Sequence, residues 1–234
     1  MRILAIGAHP DDLEIHAFGT LALHAKRGDD VFVCGITNGD QGHMVIMPEE
    51  LGQLRIQEAT KAAKTIGAQE YFNLGVHDMA VDGKNQEVID KLIDVIRYTK
   101  PDYIISHRTD EYHNDHNETG VLAFNSSFTS SLPHYFTKEP FWPKVPSLYY
   151  MCSSSPNFYA TDYVDISSVI ELKLEALACH QSQVQWLMDH DKNDVLKRTR
   201  DFDAYNGTQC QVAYAEVFQR CMQSCRITPS RLLP

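Results

Sequence analysis

Short apolar runs alternating with helix-like segments govern what this chain can fold into. Residues 2 to 8, Val31 to Thr37, Tyr71 to Leu74, Asp102 to Ser106 and Ser147 to Cys152 form the runs, and Leu13 to Lys26, Pro48 to Ile66, Glu87 to Tyr98 and a segment from residue 115 to about Ser127 fall between them with helical spacing. A run with no polar alternation suits a strand buried on both faces, and repeated strand-helix units close in a right-handed sense. The expected fold is a single-domain, Rossmann-like α/β structure, a parallel sheet with helices on both faces. Gly28 and Gly67 sit where helices should end, Pro48 suits a first turn, and Asp11 with Glu14 has the spacing of a capping box. Ile166 to His180 and Val184 to Lys197 read as further helices. Residues 130 to 146, rich in proline and aromatics, read as a substrate-facing or interface loop. One domain is expected over 1–227, with 228–234 a loose tail.

Charge and composition exclude several classes. Lys plus Arg number 21 against 31 Asp plus Glu, for a net charge of -10 with no long run of either sign, which argues against a nucleic-acid partner. No stretch approaches the roughly 18 apolar residues of a membrane-spanning helix. The apolar start is too short for a signal peptide, so the chain is expected in the cytoplasm. The six cysteines include no Cys-x-x-Cys pair and are expected reduced; Cys221 and Cys225, four apart, would share a helix face.

Ligands of an open parallel sheet bind beyond the carboxyl ends of its strands. Three polar clusters fall there: His9-Pro-Asp-Asp12, Asn38-Gly-Asp40 and His113-Asn-Asp-His116. A catalytic zinc site takes three nitrogen or oxygen ligands and keeps one position open for water. His9, Asp12 and His116 would supply such a set, with Asp11 placed as base, His113 to assist the leaving nitrogen, and Asp115 to accept an imidazole N–H and fix its tautomer. Blander explanations stand beside each. Asp11 and Glu14 suffice for capping, but capping needs neither His9 nor Asp12. Arg55 and Glu58 have the spacing of an exposed ion pair. The remaining histidines, among them His24, His43, His77, His107, His134 and His190, are assigned to surface or structure, and His180 to a helix end.

Ala8-His-Pro-Asp-Asp-Leu-Glu14 followed by Gly19-Thr20, then Thr37-Asn-Gly-Asp40 with Gly42, Arg55-x-x-Glu58, His113-x-Asp-His116 and Lys173-x-x-Ala-Leu177-x-x-His180-x-Ser-Gln183 together resemble the PIG-L/LmbE-type zinc deacetylases. The first motif and the His113 motif are the specific ones, and the likeness covers most of residues 1 to 183. It implies a Rossmann-like fold, Zn2+ on His9, Asp12 and His116, Asp11 as general base, His113 as acid or electrostatic stabiliser, and Arg55 against substrate. It further implies hydrolysis of the acetamide of an N-acetylglucosamine-type conjugate, and a homo-oligomer, trimer or hexamer. The chain departs from the pattern with His16 where glycine is usual, with Phe18-Gly19 in place of Gly-Gly, and with Asn114 where proline is common. His16 shares a helix face with Asp12, so it either reshapes the pocket floor or approaches the metal.

Two other functions compete. A nucleotide-binding Rossmann protein would carry Gly-x-Gly-x-x-Gly after the first strand, whereas the turn here is Gly7-Ala-His-Pro-Asp-Asp12, whose carboxylates would repel a pyrophosphate. A metal-dependent sugar-binding protein without catalysis would lack the base, and Asp11 is present. Substrate choice is expected from loops 40 to 48 and 130 to 146.

Overall fold

The computed structural model describes residues 1–152 and 158–227. Along β1 (Arg2–Gly7), Ile3 and Ala5 face one apolar cluster while Leu4 and Ile6 face a second. That two-sided burial is what an unbroken apolar run dictates. β1 pairs in parallel with β2 (Asp30–Thr37) on one side and β4 (Tyr103–Ser106) on the other; β3 (Glu70–Val76) extends the sheet beyond β2, and β5 (Ser147–Met151) lies parallel beside β4. Past β5 come β7 (Ala215–Arg220) and β6 (Asp162–Asp165), giving seven strands in the order β3-β2-β1-β4-β5-β7-β6.

β7 runs antiparallel to both its neighbours, so the sheet is mixed rather than wholly parallel. One core lies against α2 (Phe18–Arg27), α3 (Pro48–Thr65) and α6 (Ile170–Leu177); the other lies against α4 (Gln86–Thr99) and α5 (Asn114–Thr129). The molecule is a single α/β domain with helices on both faces.

The expected helix from Leu13 to Lys26 is two helices, α1 (Asp12–His16) and α2, broken at Ala17 with φ -143°. The break lets the first backbone N–H groups of α2 reach a carboxylate: Gly19 and Thr20 donate to Glu216 of β7 at 2.8 and 2.7 Å. A Cβ on Gly19 would lie 2.8 Å from Ile166, so this approach needs glycine. The expected capping box does not form. Asp11 makes no side-chain cap, and Glu14 accepts instead from His180 Nε2 at 2.8 Å.

Later elements differ more. The helix expected over Ile166 to His180 shortens to α6, and the stretch from Val184 to Lys197 divides between α7 (Gln181–Asp191) and α8 (Val195–Cys210). Cys221 follows β7 and Cys225 sits at φ 63° in a turn, so no helix aligns them. Residues 130–146 do not face the site. They join α5 to the start of β5, at the sheet edge away from the carboxyl ends of the parallel strands, and buried Arg97 of α4 ties them down. Its guanidinium donates to the carbonyls of Ser130, Leu132, Tyr135 and Glu139 and to Thr137 Oγ1. The expected tail, 228–234, lies outside the described residues. Among the described residues no helix is long and apolar enough to cross a membrane.

Candidate metal centre and active site

The strand order reverses direction of growth between β1 and β4, and ligands favour the crevice at such a switch point. The segments leaving these two strands bring His9, Asp11 and Asp12 together with His107, Glu111, His113, Asp115 and His116. Asp11 holds φ at 112°, a strained value for a side-chain-bearing residue, while its carbonyl starts α1 by accepting from Ile15 N–H at 3.1 Å.

Each of two histidines is gripped from behind by a carboxylate. His9 Nε2 lies 3.1 Å from Asp115 Oδ2, leaving Nδ1 3.4 Å from Asp12 Oδ2. His116 Nδ1 lies 2.8 Å from Glu111 Oε2, leaving Nε2 3.4 Å from Asp12 Oδ1. A carboxylate behind an imidazole fixes its tautomer and aims the other lone pair, here both times at Asp12. Two overlapping groups of side chains bring possible ligand atoms within 4.8 Å of one another, one of His9, His113 and His116 and the other of Asp12, His107 and His116. His107 is a strut within the second: its Nε2 accepts from Ala8 N–H at 3.1 Å and its Nδ1 faces both Glu111 oxygens at 3.4 Å.

The electrostatics favour positive charge at this spot. Burial works against protonating His9, yet Asp115 and Asp12 outweigh it and raise the imidazole to about 9. His116 is likewise opposed by burial and raised by Asp12 and Glu111, to about 10. Burial would push the Asp12 carboxyl up, but His116 and His107 hold it well below the usual carboxylate range. Nitrogen and oxygen donors that gather protons in this way suit a divalent cation, which would take the protons' place.

Of the expected site residues, His9, Asp12 and His116 converge. His113 is adjacent, its ring centroid 4.8 Å from that of His9. It stands at the N-cap of α5, where Nδ1 accepts from the Asp115 N–H at 3.2 Å. Its proton therefore sits on Nε2 in the neutral form, and burial together with the charges of His9 and His116 lowers its pKa. Asp115 orients His9, not His113, because the first turn of α5 carries its carboxylate to the β1 side, where Met79 N–H also donates to it at 2.7 Å.

Arg55 is buried and unpaired with Glu58. Its Nη2 donates to Asp11 Oδ2 at 3.0 Å and to the Pro10 carbonyl, and its Nη1 to the Gly39 carbonyl at 3.1 Å. Gly39, at φ 74°, is required here, since a Cβ would lie 2.7 Å from Arg55 Nη1. Glu58 accepts instead from Ser182 N–H and Oγ at 2.8 and 2.6 Å.

Glu111 and His107 are the functional neighbours that sequence reasoning missed. The strand exit preceding both was the available signal. His16 belongs to neither ligand group and lines a cleft beside Asp12.

The model for the PIG-L family, described as GlcNAc-PI de-N-acetylase, matches residues 4–126. A diacetylchitobiose deacetylase of Thermococcus kodakarensis is 28% identical over 193 residues, covering 78% of this chain and 70% of that protein. A 4-oxalmesaconate hydratase of Pseudomonas putida is 27% identical over 195 residues, covering 77% and 73%. The solved N,N'-diacetylchitobiose deacetylase of Pyrococcus horikoshii superposes with a TM-score of 0.79 at 26% identity over 94% of this chain and 83% of that one. The family match spans the switch-point crevice with all of its candidate ligands, and the chain belongs to the PIG-L family of enzymes.

Proposed function

We propose that the chain is a zinc-dependent N-deacetylase that hydrolyses the acetamide of an N-acetylglucosamine-type conjugate. The observation that carries this reading is the pair of carboxylate-backed imidazoles, His9 on Asp115 and His116 on Glu111, converging on Asp12 beside an Arg55-held Asp11. The names of the Thermococcus and Pyrococcus relatives supply the substrate class.

A zinc ion held by His9, Asp12 and His116 would polarise the acetyl carbonyl and make water a nucleophile near neutral pH. Asp11 accepts the proton of the attacking water. Burial raises its pKa, with Arg55 opposing, and a raised carboxyl is the stronger base. Arg55 fixes the direction of that carboxylate. The proton that Asp11 has taken passes on to the departing nitrogen, and neutral His113, with its Nε2–H free to donate, stabilises the negative charge that develops on the acetyl oxygen.

The test is amine release from a panel of N-acetylglucosamine glycosides by zinc-loaded protein, chelated protein and Asp11→Ala. Release should need zinc and should fall by about 10²- to 10⁴-fold in Asp11→Ala with the metal retained. Absence of release from every glycoside by zinc-loaded protein would reject the reading and favour water addition, the chemistry named for the Pseudomonas putida relative.

A further inference from the structure

The start of α7 carries three buried polar residues, His180, Ser182 and Gln183, and each reaches a different part of the framework around Asp11. His180 Nε2 donates to Glu14 Oε1 of α1 at 2.8 Å. Ser182 N–H and Oγ donate to the two Glu58 oxygens of α3 at 2.8 and 2.6 Å, and Gln183 Nε2 donates to the Gly42 carbonyl at 3.2 Å. Arg55, one turn before Glu58 on α3, donates to Asp11, and Asp11 opens α1 three residues before Glu14. Three side-chain contacts, Asp11 with Arg55, Glu58 with Ser182 and His180 with Glu14, therefore close a ring through single turns of α3, α7 and α1.

Asp11 needs such a frame. Its φ of 112° is a strained value that persists only where the surroundings over-determine it, and α1, five residues long, is too short to hold its own start. Arg55 grips the Asp11 carboxylate, whereas the contact to Glu14 grips the turn behind it. Burial opposes a proton on His180, but Glu14 outweighs it and keeps the imidazole the charged donor of the pair. A buried ion pair adds little net stability over apolar side chains of the same volume, so what this one contributes is direction. We propose that His180 is a positioning residue for the reaction, which through Glu14 fixes the turn presenting Asp11 to the attacking water. The proposal rests on the deacetylase reading for the role of Asp11 as base.

The test compares three zinc-loaded variants with wild type. His180→Gln keeps a donor in place of Nε2, and His180→Met removes it. The double variant His180→Met, Glu14→Met replaces the whole pair by apolar side chains, so no buried charge is left unpaired to unfold the chain. Amide exchange at Ile15, whose N–H donates to the Asp11 carbonyl at 3.1 Å, reads the turn without turnover. The double variant and His180→Met should exchange Ile15 at least about 10-fold faster than wild type and lose about 10²-fold in kcat, with KM and zinc affinity little changed. His180→Gln should stay within about 3-fold of wild type in both exchange and kcat. Wild-type kcat or unchanged Ile15 exchange in the double variant overturns the proposal, as does a His180→Gln no better than His180→Met or a zinc affinity that falls in step with kcat. Faster Ile15 exchange in the double variant of a protein whose wild type releases no amine would reject the deacetylase reading and leave the link from His180 to the Asp11 turn standing.

Discussion

Arg55 Nη2 donates to Asp11 Oδ2 across 3.0 Å, and Arg55 is only 4% exposed. This pairing makes Arg55 the support of the proposed base. Arg55→Ala should lower kcat by roughly 10²-fold with KM little changed, because a misplaced reacting group costs about that much. Zinc content should hold. A rise in KM at constant kcat would instead assign Arg55 to substrate contact alone.

Glu111 accepts from His116, and no motif pointed to it. Glu111→Gln should weaken zinc binding by about 10- to 100-fold in a chelator competition, with the fold intact by circular dichroism. Asp115→Asn should do the same through His9. Unchanged zinc affinity in both variants would remove His9 and His116 from the ligand set.

Arg97 spends its guanidinium on five acceptors of residues 130–139. Arg97→Met leaves those groups short of donors and should cost about 3 kcal/mol or more. The expected fall in Tm is roughly 5–10 °C for a chain of this size. Zinc affinity should not move, since this loop lies at the opposite edge of the sheet from His9 and His116.

Lys173 Nζ meets Asp203 Oδ2 at 2.6 Å and Glu216 Oε1 at 2.9 Å, all three buried. Burial and the second carboxylate raise Asp203 to about 7 despite the ammonium. In the unfolded chain the same group titrates near 3.9, so between about pH 4 and 7 the folded chain holds a proton that the unfolded chain has lost. This group therefore makes stability fall as pH rises through that window, by up to about 1.4 kcal/mol per pH unit. Asp203→Asn should flatten the urea-derived stability profile there; an unchanged slope would place the titration elsewhere.

The strands around β1 were legible because their apolar runs report burial on two faces directly, and His9, Asp12 and His116 were legible because strand exits meet at one edge. Glu111 was not, since its value depends on a turn that brings it back to a histidine five residues later. Asp115 was legible as a supporting carboxylate but not as a partner of His9, because that choice is made by the direction of α5 and not by spacing. β7 escaped notice for a related reason. Its buried positions include Glu216, which reads as solvent-facing until Lys173 and the N–H groups of Gly19 and Thr20 are seen to surround it.

Glu216 also sets an order of assembly. The helix start that it caps lies 197 residues earlier in the chain, at Gly19. During synthesis the amino-terminal strands and helices emerge first, and the start of α2 has no cap until Glu216 follows. Closing so long a loop is slow, and slower than the local pairing of β1 with β2. The start of α2 should consequently be fixed only when β7 joins the sheet, and a nascent chain arrested before Ala215 should carry a formed β1 and β2 but a frayed start to α2.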